Sequence, residues 1–229
     1  MRLAKLPTGF NWKYAIGEVI LIVVGITIAL AANSWYEGQR ERSDEIRLLQ
    51  QMHQTLTEDL EELKRRSLTM HQVAQDISAL LNHLEEDKPY SDEFGGFIRS
   101  LIRFRGVRIR MAPFEALKAR GLDLLSSDTL RMKLISFYED DFARLEFSTA
   151  NNLVFVQDLI EPYVMANFRQ IASRDWVPND YDQLKSDGYL VNLCRRRLVG
   201  LQDFVLPYFD ETTEAIREIL VAIEQELDK

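Results

Sequence analysis

The spacing of chain-breaking residues constrains this protein more than any other feature of its sequence. No glycine or proline occurs between Gln39 and Lys88, a run of 50 residues, or between Leu122 and Glu161, a run of 40. Sandwiches, barrels and α/β folds need a turn roughly every 8–15 residues. The sequence therefore predicts an all-α protein built from a few long helices.

Composition and charge narrow the class further. A hydrophobic content of 46% with 28% charged residues is typical of a folded protein. The net charge of −8 disfavours nucleic acid as a partner, because nucleic-acid-binding domains usually carry a basic excess. The single cysteine, Cys194, cannot form an intrachain disulfide, and with three histidines it disfavours a structural zinc site.

Residues 15–36 are predicted to form a transmembrane helix, so the lipid bilayer is an expected partner. The stretch Ala15 to Ser34 reads AIGEVILIVVGITIALAANS and has one charged residue, Glu18. A bilayer core needs about 20 mostly apolar helical residues. Aromatic residues flank the stretch on both sides, as at membrane interfaces: Phe10, Trp12, Tyr14, Trp35 and Tyr36. A buried core helix is the alternative, but such flanks are unusual for one.

Cleavage and orientation of this segment are separate questions. A cleavable signal peptide has a basic start, an apolar stretch and a small-residue site, which here would be Arg2, Lys5, Lys13 and Ala29-Leu30-Ala31. Because Glu18 interrupts the apolar region and the helical pattern continues past Ala31, we prefer an uncleaved signal anchor. Lysine and arginine are equally frequent on both flanks, so the positive-inside rule does not decide the orientation. The short basic segment 1–14 before a single span favours a cytoplasmic N-terminus.

Small residues within the span predict a helix-packing face. Gly25 and Ala29 form a small-xxx-small pattern that lets helices approach closely, and Gly17 extends the same pattern. The partner would be another protein or a second copy of this chain. Glu18 is a functional candidate because acids within membranes are costly. Its alternative, which we prefer, is that it lies one turn inside and extends toward the basic flank.

Residues 37–88 are predicted to form a long, heptad-patterned helical arm. Apolar residues recur at intervals of three and four, and the second position of each repeat is always large: Leu49, Leu56, Leu63, Met70, Ile77 and Leu84. This period is typical of a helix packed lengthwise on another, as in a coiled coil. His53 lies on the same seam and is interpreted as a structural histidine. The arm is therefore a second candidate contact for a protein partner or a second copy.

Residues 89–229 are predicted to form an antiparallel helical bundle that packs with the arm. Loops are expected at Glu85–Gly96 and Ser173–Asp182, and a strand or extended link at Arg103–Arg110. Helices are expected over Phe97–Phe104, from Pro113 to a cap at Gly121, and over about Asp128–Ile160 and Gly188–Leu227. Ser126 or Ser127 would cap the third helix, Pro162 would end or kink it, and Pro207 would bend the last. The apolar stripe of the third helix is taken to extend through Val154 and Leu159.

Two stretches resemble a bacterial membrane-anchored family of unknown function, common in Bacteroidetes. KYAIGEVILIVVGITIAL (Lys13 to Leu30), followed by Asn33 and Trp35, is similar to its KYAIGEI start, GIxIAL span and Asn…Trp pair. FEALKARGLDLLSSDTLRMKLISFY (Phe114 to Tyr138) resembles its mid-chain YxxL helix, small-Gly turn and LRxxIxxYY helix. The departures are Ala31-Ala32, where more polar residues are usual, and Arg120, where serine is common. The resemblance implies a single-span protein with a helical soluble domain in the bacterial inner membrane. It implies no known activity, and it makes Gly17 and Glu18 part of a signature.

Motifs that carry chemistry are missing from the sequence. There is no GxSxG, GxxxxGK[ST], GxGxxG or HExxH pattern, and no histidine follows a glutamate at the spacing of a di-iron bundle. We therefore predict a protein that is not an enzyme, with no catalytic residue, cofactor or metal site.

Arginines provide the remaining candidate contacts with an anion or an acidic partner. They form two groups, which comprise Arg99, Arg103, Arg105, Arg108 and Arg110, and Arg195, Arg196 and Arg197. Such groups bind anions, lipid headgroups or acidic proteins. The alternative, which we favour, is pairing with the acidic stretches Glu85-Glu86-Asp87 and Glu139-Asp140-Asp141.

Two functions remain open from the sequence. The first is a membrane-anchored scaffold or accessory subunit of a membrane complex, with its soluble domain in the periplasm. The second is an extracytoplasmic sensor or ligand-binding module that signals through a membrane partner.

Overall fold

The structure is a computed structural model that describes residues 12–104, 106–172 and 175–229. It is all-α apart from one short hairpin, as the sequence predicts. The chain divides into two compact units, of which the first ends at Arg47 and the second comprises Leu48–Lys229. The domain boundaries expected after residues 14, 36 and 88 stay predictions.

The first unit contains the start of helix α1, which spans Trp12–Glu85. Every side chain from Ile16 to Glu41 is exposed, including the whole apolar stretch. A helix that is apolar on all faces needs an apolar environment around it. This long apolar helix near the N-terminus fits a membrane anchor or a signal sequence. The basic residues Arg2 and Lys5 lie outside the described residues.

In the second unit, α1 follows the heptad pattern that the sequence predicts. All six large second-position residues are buried in one hydrophobic core: Leu49, Leu56, Leu63, Met70, Ile77 and Leu84. His53 is half-buried, and its Nε2 lies 3.0 Å from a carboxylate oxygen of Glu224, which agrees with a structural histidine. Burial of one stripe is what fixes the packing of this part of the helix.

The first predicted loop is shorter than expected, because α2 spans Phe94–Ile102 and therefore includes Gly95 and Gly96. A Cβ at Gly95 would lie 2.7 Å from the carbonyl oxygen of Trp176, so only glycine permits this approach of two backbones. The described residues between 103 and 110 form an extended link, which was one of the two predicted structures, the other being a strand. Helix α3 spans Ala112–Arg120, and Gly121 caps it at φ +102°, as predicted.

The third predicted helix is continuous but longer than expected. It comprises α4 (Asp128–Ser136), a π-helical segment π1 (Phe137–Asp141), α5 (Phe142–Phe155), a second segment π2 (Val156–Ile160) and α6 (Glu161–Asn167). Ser127 caps α4, because its Oγ accepts a hydrogen bond from the Leu130 N–H at 3.3 Å. The predicted end at Pro162 is wrong.

The apolar stripe assigned to Val154 and Leu159 is also wrong, since both side chains are exposed. The buried face instead includes Thr149, Asn152 and Val156. Two of these three are polar, so an apolar pattern alone missed the face. Thr149 is tolerated there because its hydroxyl donates to the Leu145 carbonyl at 2.9 Å.

The second predicted loop, Ser173–Asp182, contains regular structure that was not expected. Strand β1 (Phe168–Ala172) precedes it and pairs antiparallel with β2 (Asp175–Pro178) inside it, and α7 (Tyr181–Lys185) begins before its end. Residues 173 and 174 lie outside the described residues. Asp and Pro are rare in strands, so the local sequence gives no strand signal. The hairpin is held by tertiary packing, with Trp176 buried in the common core.

The last predicted helix comprises α8 (Gly188–Gly200), a segment π3 (Leu201–Val205) and α9 (Leu206–Leu227). Its expected apolar face is confirmed by the burial of Leu201, Val205, Phe209, Ile216 and Ile223. π2 and π3 each begin six residues before a proline, at Pro162 and Pro207. Proline lacks an N–H and crowds the carbonyl four residues earlier, so a wider turn lets the helix continue past it.

Candidate functional site

The structure places the two arginine groups on different elements. Arg99 lies in the last turn of α2, and Arg103, Arg108 and Arg110 lie on the extended link. Arg105 lies outside the described residues. The second group, Arg195 to Arg197, lies on α8. The groups meet at one point, where Arg197 Nη2 donates a hydrogen bond to the Arg103 carbonyl at 2.5 Å.

Two arginines form structural ion pairs. Arg195 Nη2 lies 2.6 Å from Glu85 Oε1, which is the pairing that the sequence favoured for this group. Arg110 pairs instead with α1, where its Nη1 lies 2.6 Å from Asp59 Oδ1 and its backbone N–H donates to Asp59 Oδ2 at 3.0 Å. The predicted partner Asp141 is paired with Arg144, an arginine outside both groups.

Asp59 and Tyr138 are two buried polar side chains that influence each other. Asp59 is 2% exposed, and this burial raises the pKa of its carboxyl, although Arg110 opposes the shift. Burial also raises the pKa of the Tyr138 hydroxyl, with a further contribution from the Asp59 charge. The Tyr138 oxygen has no hydrogen-bond partner within the described part of the chain. An exposed polar groove beside Asp59 includes Arg108 and Arg110.

Arg197 differs from the other arginines because it is buried. Its side chain is 1% exposed, and its Nε and Nη1 atoms have no hydrogen-bond partner among the described residues. No carboxylate in the described ranges lies within ion-pair distance of it. Burial lowers the pKa of its guanidinium to about 9, with a small opposing contribution from Cys194. The group is still a cation at neutral pH, held in the core with no carboxylate of the described residues as its counter-ion.

Arg197 borders a cavity of about 370 Å³, which we call the Arg197 cavity. Its polar lining includes Arg196, which is exposed, and Asn152, whose Oδ1 is buried without a partner in the described structure. The apolar lining comprises the aromatic residues Phe147, Phe155, Phe204 and Tyr208. These residues come from α5, α8, π3 and α9. The cavity therefore combines an apolar wall with a buried cation.

Two small residues near Arg197 affect what the cavity can do. A Cβ at Gly200 would meet the Asn152 Nδ2 at an ordinary contact distance of 3.7 Å, so glycine leaves space on this wall. Cys194 is a buried free cysteine, and its burial raises the pKa of the thiol to about 12. Because the thiolate is the reactive form, Cys194 is inert in the folded protein at neutral pH.

The predicted membrane-packing residues lie on the exposed part of α1. A Cβ built at Gly17 or Gly25 meets no atom of the described residues within 4 Å. Gly25 and Ala29 are four residues apart on this helix, and Glu18 is also exposed. No contact within the described part of the chain covers these positions.

Comparisons with protein-family models, with curated proteins and with solved structures find no match. The residues of the site therefore have to be interpreted from their own geometry.

Sequence reasoning named Arg197 but missed its burial, and it missed Asn152 and Gly200. A signal was present in α8, where Leu190, Cys194, Arg197 and Leu201 recur at intervals of three and four. A charged residue at a core position of an apolar stripe is unusual and marks a structural or functional role.

Proposed function

We propose that this chain is a non-enzymatic, membrane-anchored helical protein that acts as a scaffold or accessory subunit of a membrane complex. The observation that supports it most is the apolar stretch from Ile16 to Tyr36, whose side chains are all exposed. A stretch of this length and composition is stable only if lipid or another protein surrounds it.

The proposal places this protein in the inner membrane of a bacterium, with its N-terminus in the cytoplasm and the helical domain in the periplasm. The resemblance of Lys13–Leu30 and Phe114–Tyr138 to the Bacteroidetes family of unknown function supports this placement. We expect external protease to degrade the helical domain in intact spheroplasts. Protection of residues after Tyr36 would contradict the proposed orientation.

Partner contact is proposed along the small-residue face of the span. On a helix of 3.6 residues per turn, Glu18, Gly25 and Ala29 lie on one side, whereas Leu30 is turned about 100° away from Ala29. Small residues let a second helix approach closely. The acid Glu18 would then be shielded by a partner rather than exposed to lipid.

Crosslinking in native membranes tests this role directly. Ala29→Cys changes the size of a small side chain little, and Leu30→Cys is its matched control at the same depth of the span, turned about 100° away from the small-residue face. We expect oxidation to produce a disulfide-linked dimer, or a bifunctional maleimide to produce an adduct with another protein, from Ala29→Cys but not from Leu30→Cys. A solitary monomer for both variants would contradict the scaffold proposal.

A second candidate function, an extracytoplasmic sensor or ligand-binding module, is favoured by one specific observation. Arg197 is buried beside a cavity with two nitrogens unpartnered in the described structure. The contacts of His53, Asp59 and Arg195 are made to other described residues of the domain, whereas Arg197 keeps two unpartnered nitrogens, so the Arg197 cavity is the part of the domain that best fits ligand binding.

A further inference from the structure

We infer that the Arg197 cavity is a binding site for a small carboxylate that carries an apolar body. This inference rests on the second candidate function above and names its ligand class. It does not depend on the scaffold role or on the membrane span, because every residue of the cavity lies in the second unit.

The charge of Arg197 is the first step. Moving a cation from water into a protein core costs several kcal/mol unless an anion or hydrogen bonds compensate it. The hydrogen bond to the Arg103 carbonyl compensates one of the three guanidinium nitrogens. Nε and Nη1 remain unpartnered among the described residues, so an anion bound in the adjacent cavity would compensate the charge of the guanidinium.

A second buried group faces the same cavity. Asn152 is 7% exposed, and its Oδ1 has no partner in the part of the chain that the structure describes. Its amide comes from α5, whereas Arg197 comes from α8. Buried polar groups that lack partners are rare in folded proteins. Two of them beside one cavity indicate a site that a polar ligand completes.

The cavity walls define the rest of the ligand. Four aromatic side chains line it, so the body of the ligand should be apolar. Its volume of about 370 Å³ lies at the small end of the range of about 300–1,000 Å³ for small-molecule sites. One buried cation matches a monoanion, whereas a phosphate dianion would need more buried donors. A carboxylate fits both conditions.

The inference is tested by calorimetric titration of the full chain in phospholipid nanodiscs, with empty nanodiscs as the blank. The probes are 3-phenylpropionate, its uncharged amide 3-phenylpropionamide, octanoate and inorganic phosphate. We expect saturable binding of 3-phenylpropionate that is stronger than binding of the amide or phosphate. Octanoate distinguishes a fatty acid from a compact aromatic acid as the source of the carboxylate. Tighter binding of octanoate than of 3-phenylpropionate would identify a fatty acid, and weaker binding would identify a compact acid.

Three variants link the binding to the cavity. Arg197→Met removes the cation with little change in volume, and we expect it to weaken binding about tenfold or more. Gly200→Leu keeps Arg197 and fills the space beside Asn152, and we expect a similar loss. Arg195→Met is the matched control, since Arg195 is an exposed neighbour on the same helix that pairs with Glu85. It should leave binding unchanged.

Each contrary result overturns the inference. Equal affinity for the acid and its amide, tighter binding of phosphate, or unchanged binding by folded Arg197→Met would exclude a carboxylate site. Should Arg197→Met fail to fold, full affinity in Gly200→Leu would overturn the inference instead. No saturable binding of either acid to the wild-type chain would do the same. None of these results affects crosslinking of Ala29→Cys, so failure of this site and failure of the scaffold role are distinguishable.

Discussion

Two stretches of the same helix, α1, use apolar side chains in opposite ways. Between Ile16 and Ala32 nearly every side chain is apolar and all of them are exposed. Between Leu48 and Leu84 most apolar side chains form one stripe, and that stripe is buried in the core of the second unit, with Leu68 as an exposed exception. Charged residues occupy the other faces of the second stretch, as the ion pairs of Glu61 with Lys64 and of Glu62 with Arg65 illustrate.

The difference shows that the arrangement of apolar residues, more than their number, determines their environment. A periodic stripe can be covered by neighbouring helices while the other faces stay in water. A helix that is apolar all round has no face for water, and it needs lipid or protein on every side. Four experiments compare the two units, and they follow from the largest expected effect to the smallest.

The largest effect is expected for Val23→Arg combined with Ile26→Arg. An arginine at the centre of a span costs about 2.5–3.5 kcal/mol on insertion scales, so the pair should abolish stable membrane association. Sedimentation of the chain after carbonate extraction measures this. Leu68→Arg is the matched control, because Leu68 is an apolar side chain 71% exposed in the second unit. If Leu68→Arg released the chain equally, exposure in the first unit would not indicate lipid contact.

A core truncation in the second stretch should affect folding instead of membrane association. Leu56 is fully buried, and Leu56→Ala is expected to lower the free energy of unfolding by about 2–5 kcal/mol. Urea unfolding of the full chain in nanodiscs, followed by circular dichroism, measures the change. Ile22→Ala, at an exposed position of the span, should leave the unfolding of the helical domain unchanged. Equal effects of the two substitutions would contradict the contrast.

Glycines in the two units should also differ. Gly95→Ala would place a methyl group 2.7 Å from the Trp176 carbonyl oxygen, and overpacking of this kind costs about 1–3 kcal/mol. Gly25→Ala meets no described atom within 4 Å and should leave the stability of the domain unchanged. Thermal unfolding of the two variants compares them. A stable Gly95→Ala protein would show that α2 and β2 can separate without loss.

The smallest effect is expected for Asp59→Asn, and it depends on pH. Burial raises the folded-state pKa of Asp59 above its usual value of 3.8, so the native state binds this proton more tightly than the unfolded chain does. Stability contributed by this group therefore falls as pH rises from 3.8 through the raised pKa. Asp59→Asn lacks this pH dependence. The difference in free energy of unfolding between the variant and wild type should therefore shift in favour of the variant across that range and stay constant above it. Urea midpoints measured from pH 3 to pH 7 check this, and a constant difference would contradict the raised pKa.

The helical fold was predictable because its signals are local. The heptad positions of α1, the N-cap at Ser127 and the positive-φ glycine cap at Gly121 depend on neighbouring residues and match the structure. The hairpin at Phe168–Pro178 and the inclusion of Gly95 in α2 depend on each other across about 80 residues of sequence. A contact of that range leaves no local pattern, so Gly95 and strand β2 were predicted as parts of loops.

The candidate site was only half predictable. The arginine groups were visible in the sequence, but which arginine is buried depends on the phase of α8 against the rest of the core. Asn152 was missed because it is a polar residue at a core position. The apolar residues Val154 and Leu159 indicated a different face of the helix as the buried one. Helix continuation past Pro207 was predicted, whereas continuation past Pro162 was not, because the wider turn of π2 leaves no local signal that the helix extends to Asn167.

Cys194 provides a way to measure how often the core around α8 opens. It is the only cysteine of the sequence, it is fully buried, and it lies one helical turn from Arg197. A thiol reagent can reach the Cys194 sulfur only while α8 is open. The rate at which the reagent modifies Cys194 in the wild-type chain therefore reports how often this part of the core opens. A ligand in the adjacent cavity would slow the modification of Cys194, so binding could be followed through the chain's own cysteine.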